Sequence, residues 1–141
     1  MDKVLEETLK ELEKTQKDFW NVARQTGNFL NMLVKMNNSK KVLEIGTSNG
    51  YSGLWFLNAL EYTDGHLTTI EFYEKRQSVA IENYKKCGFD GRFTALRGSA
   101  CTLLEYLPED AMFDFIFIDA NKKEYIKDFE LIKPHLLPHS I

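Results

Sequence analysis

The sequence predicts an α/β protein in which a mostly parallel β-sheet carries helices on both of its faces. Short apolar segments rich in β-forming residues alternate along the chain with longer segments of helical periodicity. The first apolar segment is followed by a turn that contains Gly46 and Gly50, and then by a helical segment. This alternation is typical of parallel strands joined by right-handed helical crossovers.

Size and composition indicate one globular domain without a nucleic-acid or membrane partner. The chain has 141 residues, of which 43% are hydrophobic and 28% are charged, an ordinary composition for a globular protein. Its net charge of −3 gives no electrostatic basis for binding nucleic acid or anionic lipid. No segment approaches the roughly 20 apolar residues that span a bilayer, and the charged N-terminus lacks the apolar core of a signal peptide. We therefore expect a cytoplasmic location.

Two segments of helical periodicity precede the first strand. The first covers 2–25, residues 26–28 are expected to break it, and a second, short helix follows and ends near 37–38. The apolar stripe of the first helix contains Leu5, Leu9, Leu12 and Phe19. We expect residues 1–38 to pack as helices on a ligand-binding domain formed by residues 39–141.

The rest of the chain alternates strands and helices. The predicted strands are 42–45, 66–71, 92–97 and 113–119. The predicted helices are 51–60, 73–87, 100–107 and 122–132. The strand at 113–119 is apolar enough for burial on both faces of a parallel sheet.

The two cysteines, Cys87 and Cys101, are isolated in the sequence. Their spacing matches no metal-binding motif. We expect them to be reduced thiols in or near the core.

Three acidic residues lie at or near the ends of predicted strands: Glu44, Glu71 and Asp119. Parallel strands bring such residues to one edge of the sheet, where α/β proteins bind ligands. Glu71 lies 25 residues after Gly46, a position from which a carboxylate commonly accepts hydrogen bonds from ribose hydroxyls. The spacing Gly-x-x-x-Gly lacks the third glycine of a dinucleotide site, which leaves a nicotinamide dehydrogenase as a weak alternative. The pattern therefore favours another nucleoside-containing cofactor.

Four segments of the chain together resemble one enzyme family. They are 42–52, 67–71, 98–100 and 113–122, the last followed by Tyr125. In order and spacing they are similar to the cation-dependent S-adenosylmethionine O-methyltransferases, the group of the caffeoyl-CoA and catechol O-methyltransferases. The similarity covers roughly residues 24–141. It implies a Rossmann-like class I methyltransferase sheet with the strand order 3-2-1-4.

The resemblance also assigns a cofactor-binding role to nine positions. They are Glu44, Gly46, Ser48, Tyr51, Ser52, Glu71, Ser99, Ala100 and Asp119. By this comparison Ser52 would hold the methionine carboxylate of S-adenosylmethionine, and Glu71 would bind its ribose hydroxyls. Ser99 and Ala100 would border the adenine ring.

The same comparison implies the catalytic residues. Asp119 would ligate a divalent cation, Mg²⁺ in this family, and lie near the transferred methyl group. Lys122 would act as general base on a small hydroxyl acceptor of the catechol or caffeoyl type. Two alternatives stay open: Asp119 as the N-cap of the helix that follows, and Lys122 as one of several lysines on a solvated helix face.

The chain departs from the family pattern at its end. Residues 137–141 stand where the family has a Leu-x-x-Gly-Gly turn and a fifth strand that ends in Asp-Asn. Those two residues complete the family's metal site, so we expect an incomplete ligand set and a domain truncated before the fifth strand. The fourth strand would then be an apolar edge, for which we expect a homodimer to provide cover. The alternative function is a non-catalytic cofactor-binding or assembly module of the same fold.

Overall fold

The structure is a computed structural model that describes residues 2–15, 22–119 and 124–141. The helices are α1 (Lys3–Glu13), α2 (Arg24–Met36), α3 (Tyr51–Thr63), α4 (Glu74–Lys86), α5 (Ala100–Glu105) and α6 (Tyr125–Ile132), which continues into a 3₁₀ turn at Lys133–His135. The strands are β1 (Lys41–Ile45), β2 (His66–Glu71), β3 (Phe93–Arg97) and β4 (Phe115–Ile118). Within these ranges, no helix is long and apolar enough to cross a membrane.

The four strands form one parallel sheet in the order β3-β2-β1-β4, which confirms the predicted topology. One of the two inner strands is β1, whose Leu43 lies opposite Thr68 of β2 and Ile116 of β4. Since all the pairs are parallel, the carboxyl ends of the strands share one edge. The glycine turn after β1, Glu71 at the end of β2 and Asp119 directly after β4 are thereby brought together.

Helices cover both faces of the sheet, as predicted. On one face, α3 lies against the sheet and is covered in turn by α1, α2 and α4 in a single apolar cluster. Phe56 of α3 contacts Phe115 and Phe117 of β4 edge to face, with ring centroids 5.5 and 5.6 Å apart. On the other face, Leu104 of α5 and Ile132 of α6 pack against β1 and β2. Because residues 51–60 of α3 are almost all buried, this part of the helix is largely apolar around its circumference rather than along one stripe.

The N-terminal helices differ from the prediction. The described part of the first helix ends at Glu13, and α2 runs uninterrupted through 26–28, where a break was predicted. Gly27, at the predicted break, lies inside the helix, and its N–H donates to the Ala23 carbonyl at 3.0 Å as in an ordinary helix. A Cβ at this position would lie 2.3 Å from Nε1 of Trp55, so the glycine allows α2 to approach α3 closely. Phe19, the last member of the predicted stripe, lies outside the described residues.

The free edge of β4 is covered along its amino half, which the sequence did not predict. The last residues of the chain run beside it: the Phe113 N–H donates to the His135 carbonyl at 2.7 Å, and the Ile116 N–H donates to the Ile141 carbonyl at 2.8 Å. The predicted burial of this strand on both faces holds for Phe113 and Phe115, whereas residues 116–118 are only half-buried.

The close approach of α2 and α3 predicts that Gly27→Ala lowers the free energy of unfolding, whereas the same substitution in an open helix would raise it. In an open helix this substitution stabilises by about 1 kcal/mol. Here the added methyl meets a buried indole, and overpacking of this kind costs about 1–3 kcal/mol. The two effects together give an expected net loss of up to about 2 kcal/mol in urea-induced unfolding. Asn28→Ala, an exposed neighbour in α2, is the control and should be neutral or slightly stabilising. A more stable Gly27→Ala variant would contradict the proposed packing role.

Candidate cofactor-binding site

A cleft of about 490 Å³ opens at the carboxyl edge of the sheet. Residues from the ends of all four strands line it. Six of the predicted site residues are among them: Gly46, Ser48, Glu71, Ser99, Ala100 and Asp119. The structure therefore brings together side chains and turns that are up to 73 residues apart in the sequence, at the place where α/β sheets bind ligands.

The glycine turn forms the floor of the cleft, and hydrogen bonds to β2 hold it. The N–H groups of Gly46 and Thr47 both donate to the Ile70 carbonyl, at 2.9 and 3.2 Å. Gly50 closes the turn with φ +93°, and a Cβ there would lie 3.1 Å from the backbone of Ala80 in α4. Glycine is therefore required at position 50 both for the left-handed backbone and for the close approach of α4.

Glu71 presents an oriented carboxylate to the cleft. Its Oε1 accepts from the Ser48 N–H at 2.7 Å, and its Oε2 accepts from the Tyr73 N–H at 3.0 Å. Each carboxylate oxygen has two acceptor positions, so, among the hydrogen bonds of the described residues, one position remains on each oxygen for a ligand. Two adjacent acceptors held in a fixed orientation suit a pair of neighbouring hydroxyl groups, such as those of a ribose.

Glu44 lies beneath the cleft and is completely buried. Its Oε1 accepts from the Thr69 hydroxyl at 2.8 Å, and its Oε2 is hydrogen-bonded to the Ser52 hydroxyl. Burial raises the pKa of Glu44 from 4.5 to about 8, against the opposing effect of these two hydrogen bonds. Repulsion from the carboxylates of Asp119 and Glu71 raises this pKa further. Glu44 is consequently mostly protonated at neutral pH in the protein without a ligand.

Like Glu44, the predicted site residues Tyr51 and Ser52 do not line the cleft. Tyr51 is buried, and its hydroxyl donates to Oε2 of Glu13 at 2.6 Å. Burial, followed by this hydrogen bond, raises the pKa of Tyr51. Arg24 of α2 donates to the same Glu13 oxygen at 2.8 Å, so α1 and α2 are tied to the first residue of α3. The predicted contacts of Glu44, Tyr51 and Ser52 with the methionine part of a cofactor stay predictions.

Asp119 lies exposed at the rim of the cleft, and its N–H donates to the Ile45 carbonyl at 2.8 Å. The N-cap position of α6 is Glu124. The residues that directly follow Asp119 lie outside the described ranges, so the alternative of Asp119 as a helix cap stays a prediction. In the described ranges, the group of three potential metal ligands found within reach of one another does not include Asp119. The residues described around Asp119 do not fit a complete Mg²⁺ site, which needs several oxygen ligands. Lys122 lies outside the described residues.

Sequence reasoning missed an aromatic wall of the cleft. Phe72 and Tyr73 directly follow β2 and contact each other edge to face, with centroids 5.1 Å apart. The guanidinium of Arg76 lies over the Tyr73 ring at 4.8 Å. Both aromatic side chains are more than half exposed, so they offer apolar surface to a ligand. Their position in the sequence, immediately after the predicted ribose-binding residue Glu71, could have indicated that they line the cleft.

A second, more open depression of about 560 Å³ lies at the opposite edge of the sheet. We call it the basal depression; it is lined by Lys40, Lys41, Asp64, Gly65, His66, Asp90, Gly91 and Arg92. It lies at the amino ends of the strands, where open α/β sheets do not place their ligands. We therefore assign the ligand site to the cleft at the carboxyl edge.

The buried carboxyl of Glu44 makes stability depend on pH. Its pKa is raised in the folded state, so its contribution is complete below about pH 4.5 and is lost as the pH rises through about 8. Glu44→Gln cannot ionise, and its amide can still exchange hydrogen bonds with the two hydroxyls. We expect the variant to gain stability relative to wild type between pH 5 and 9, by an amount on the order of a few kcal/mol. Urea unfolding over this pH range measures it.

The exposed Glu82 of α4 provides the control for this experiment. Glu82→Gln should give a stability profile parallel to that of wild type. Parallel profiles for Glu44→Gln and wild type would show instead that Glu44 has an ordinary pKa.

Comparison with known proteins gives the family. The sequence model of a family described as O-methyltransferase matches residues 1–136. A catechol O-methyltransferase from Niastella koreensis is 36% identical over 111 residues, which are 77% of this chain and 50% of the relative. A caffeoyl-CoA O-methyltransferase from Petroselinum crispum is 35% identical over 128 residues, 85% of this chain and 53% of the relative.

A solved structure agrees with these relatives. The O-methyltransferase from Bacillus cereus in complex with SAH superposes with a TM-score of 0.85 at 31% identity, over 98% of this chain and 63% of that chain. The chain thus spans about half the length of the curated relatives that it matches. On the family match and these similarities, the chain belongs to the O-methyltransferase family.

Proposed function

We propose that this chain forms the cofactor-binding part of an S-adenosylmethionine-dependent O-methyltransferase. The observation that carries the proposal is the Glu71 carboxylate, which two backbone N–H groups orient toward the cleft in a chain of this family. Related structures bound to SAH and to SAM support the choice of cofactor.

The described residues fit an adenosyl cofactor along the length of the cleft. Glu71 would hold the ribose hydroxyls. The turn after β3 lies beside it, because the Gly98 N–H donates to the Glu71 carbonyl at 3.0 Å, and this turn leads into Ser99 and Ala100. Together with the exposed ring of Phe72, it would border a flat heterocycle. A cleft of about 490 Å³ falls within the usual range for small-molecule sites.

The charge of the site suits a cationic cofactor. Glu71 and Asp119 line the cleft, and Glu44 lies buried beneath it. A ligand with a sulfonium and an ammonium group would be attracted to this acidic edge and would favour the ionised form of Glu44. The bound cofactor would supply an already activated methyl group, so the protein's own task is largely to position donor and acceptor.

For the acceptor we propose a small molecule with a phenolic hydroxyl, of the catechol or caffeoyl type. The names of the relatives support this class. Asp119 stands at the rim where such a hydroxyl would approach the methyl group. The role of Lys122 as general base stays a prediction from the family resemblance, as do Mg²⁺, a homodimer and a cytoplasmic location. The residues described around Asp119 do not form a complete ligand set for Mg²⁺.

One observation favours a second candidate function. Asp119 does not belong to the group of three potential metal ligands found in the described ranges, which favours a chain that holds the cofactor without catalysing transfer. A non-catalytic cofactor-binding module would use the same Glu71 geometry. The dehydrogenase alternative is set aside, because the chain belongs to a methyltransferase family.

Binding of S-adenosylhomocysteine tests the shared basis of both candidates. We expect saturable binding of one equivalent by calorimetry, and Glu71→Ala should weaken it about tenfold or more. The physical reason is the loss of charge-assisted hydrogen bonds to the ribose, each worth about 1.5–3 kcal/mol. Glu82→Ala, an exposed acid on α4, should bind like wild type. Equal affinity of Glu71→Ala and wild type would show that Glu71 does not hold the ribose.

Turnover then separates the two candidates. Methyl transfer from S-adenosylmethionine to catechol and to caffeoyl-CoA would be measured with and without Mg²⁺. Methyl transfer by the wild type that is slower in the Asp119→Asn variant would support the enzyme hypothesis. Saturable cofactor binding without transfer under any condition supports the non-catalytic module.

A further inference from the structure

Three potential metal ligands from two helices meet beside the cleft, apart from the predicted metal residue Asp119. They are Cys101 in α5, Glu124 at the N-cap of α6 and Asp128 in α6. One ligand atom of each side chain lies within 4.8 Å of the other two. Glu124 and Asp128 are four residues apart in sequence, a spacing that places both on the side of α6 that meets α5.

Asp128 is the unusual member of this group. It is completely buried, and its Oδ1 accepts from the Cys101 thiol, with sulfur and oxygen 3.2 Å apart. Its other oxygen, Oδ2, is buried and has no hydrogen-bond partner in the described part of the chain. A buried carboxylate oxygen without a partner is costly, and a bound cation would satisfy it.

The ligand types select the kind of cation. A thiolate together with two carboxylates suits zinc, which accepts both sulfur and oxygen. Magnesium and calcium prefer oxygen ligands alone.

We propose that Cys101, Glu124 and Asp128 bind a divalent cation of the zinc type. On binding, the Cys101 thiol gives its proton to solvent, and the thiolate and the two carboxylate groups replace water molecules on the ion. In a tetrahedral site, a water molecule would take the fourth ligand position. Because Glu124 also lines the cofactor cleft, the bound cation would join α5 to the start of α6 in the cleft wall.

Cobalt(II), which occupies zinc sites and is coloured, provides the test. Titration of Co²⁺ into the 141-residue chain should give a thiolate-to-cobalt absorption band at one equivalent, and Zn²⁺ should displace it. Cys101→Ser should abolish the band, and Asp128→Asn should weaken cobalt binding about tenfold or more. Zn²⁺ should raise the melting temperature of wild type but not that of Cys101→Ser.

Cys87 supplies the matched control, since it is the other free cysteine and lies half-buried at the C-cap of α4. Cys87→Ser should keep the band and its affinity, and so should Asp119→Asn. Far-UV circular dichroism would verify that each variant is folded. The proposal is overturned if the folded wild type gives no band, if the band survives in Cys101→Ser, or if it is lost in Cys87→Ser.

Discussion

The buried carboxyl of Glu44 is the interaction on which the geometry of the site depends. It joins β1 to β2 through the Thr69 hydroxyl and to α3 through the Ser52 hydroxyl. The Thr47 hydroxyl, in the glycine turn, contacts that of Thr69 at 2.5 Å. The strand before the turn, the helix after it and the neighbouring strand are thus connected beneath the cleft. A polar group at this depth is tolerated because both of its oxygens have partners.

Above this network, backbone N–H groups position the ligand-facing carboxylate. Glu71 receives one hydrogen bond from the turn after β1 and another from its own chain two residues later. Hydrogen bonds from this turn to the end of β2 hold it in place. The site is therefore formed by short contacts between adjacent strand ends, all of which lie within the described residues. This arrangement explains how a chain that spans about half the length of its relatives can present a formed cleft at the carboxyl edge of the sheet.

The fold and much of the cleft could be predicted from sequence because their signals are local. Strand and helix periods differ, the glycine turn is adjacent to its strand, and Glu71 is the last residue of β2. The continuous α2 could not be predicted, since the role of Gly27 is to leave room for the side chain of Trp55, 28 residues later in the sequence. The contact of Cys101 with Asp128 joins positions 27 residues apart without any motif spacing. The cover of β4 by the end of the chain depends on backbone hydrogen bonds, which side-chain patterns do not encode.

The most direct test of the central claim is to locate the bound cofactor on the protein. Backbone amide resonances of the isotope-labelled chain would be followed by NMR during titration with S-adenosylhomocysteine. We expect saturable shifts concentrated at Gly46, Ser48, Glu71, Phe72 and residues 98–100. Shifts confined to the basal depression around His66 and Arg92, or none in a folded chain, would contradict the assignment of the cofactor to the cleft at the carboxyl edge.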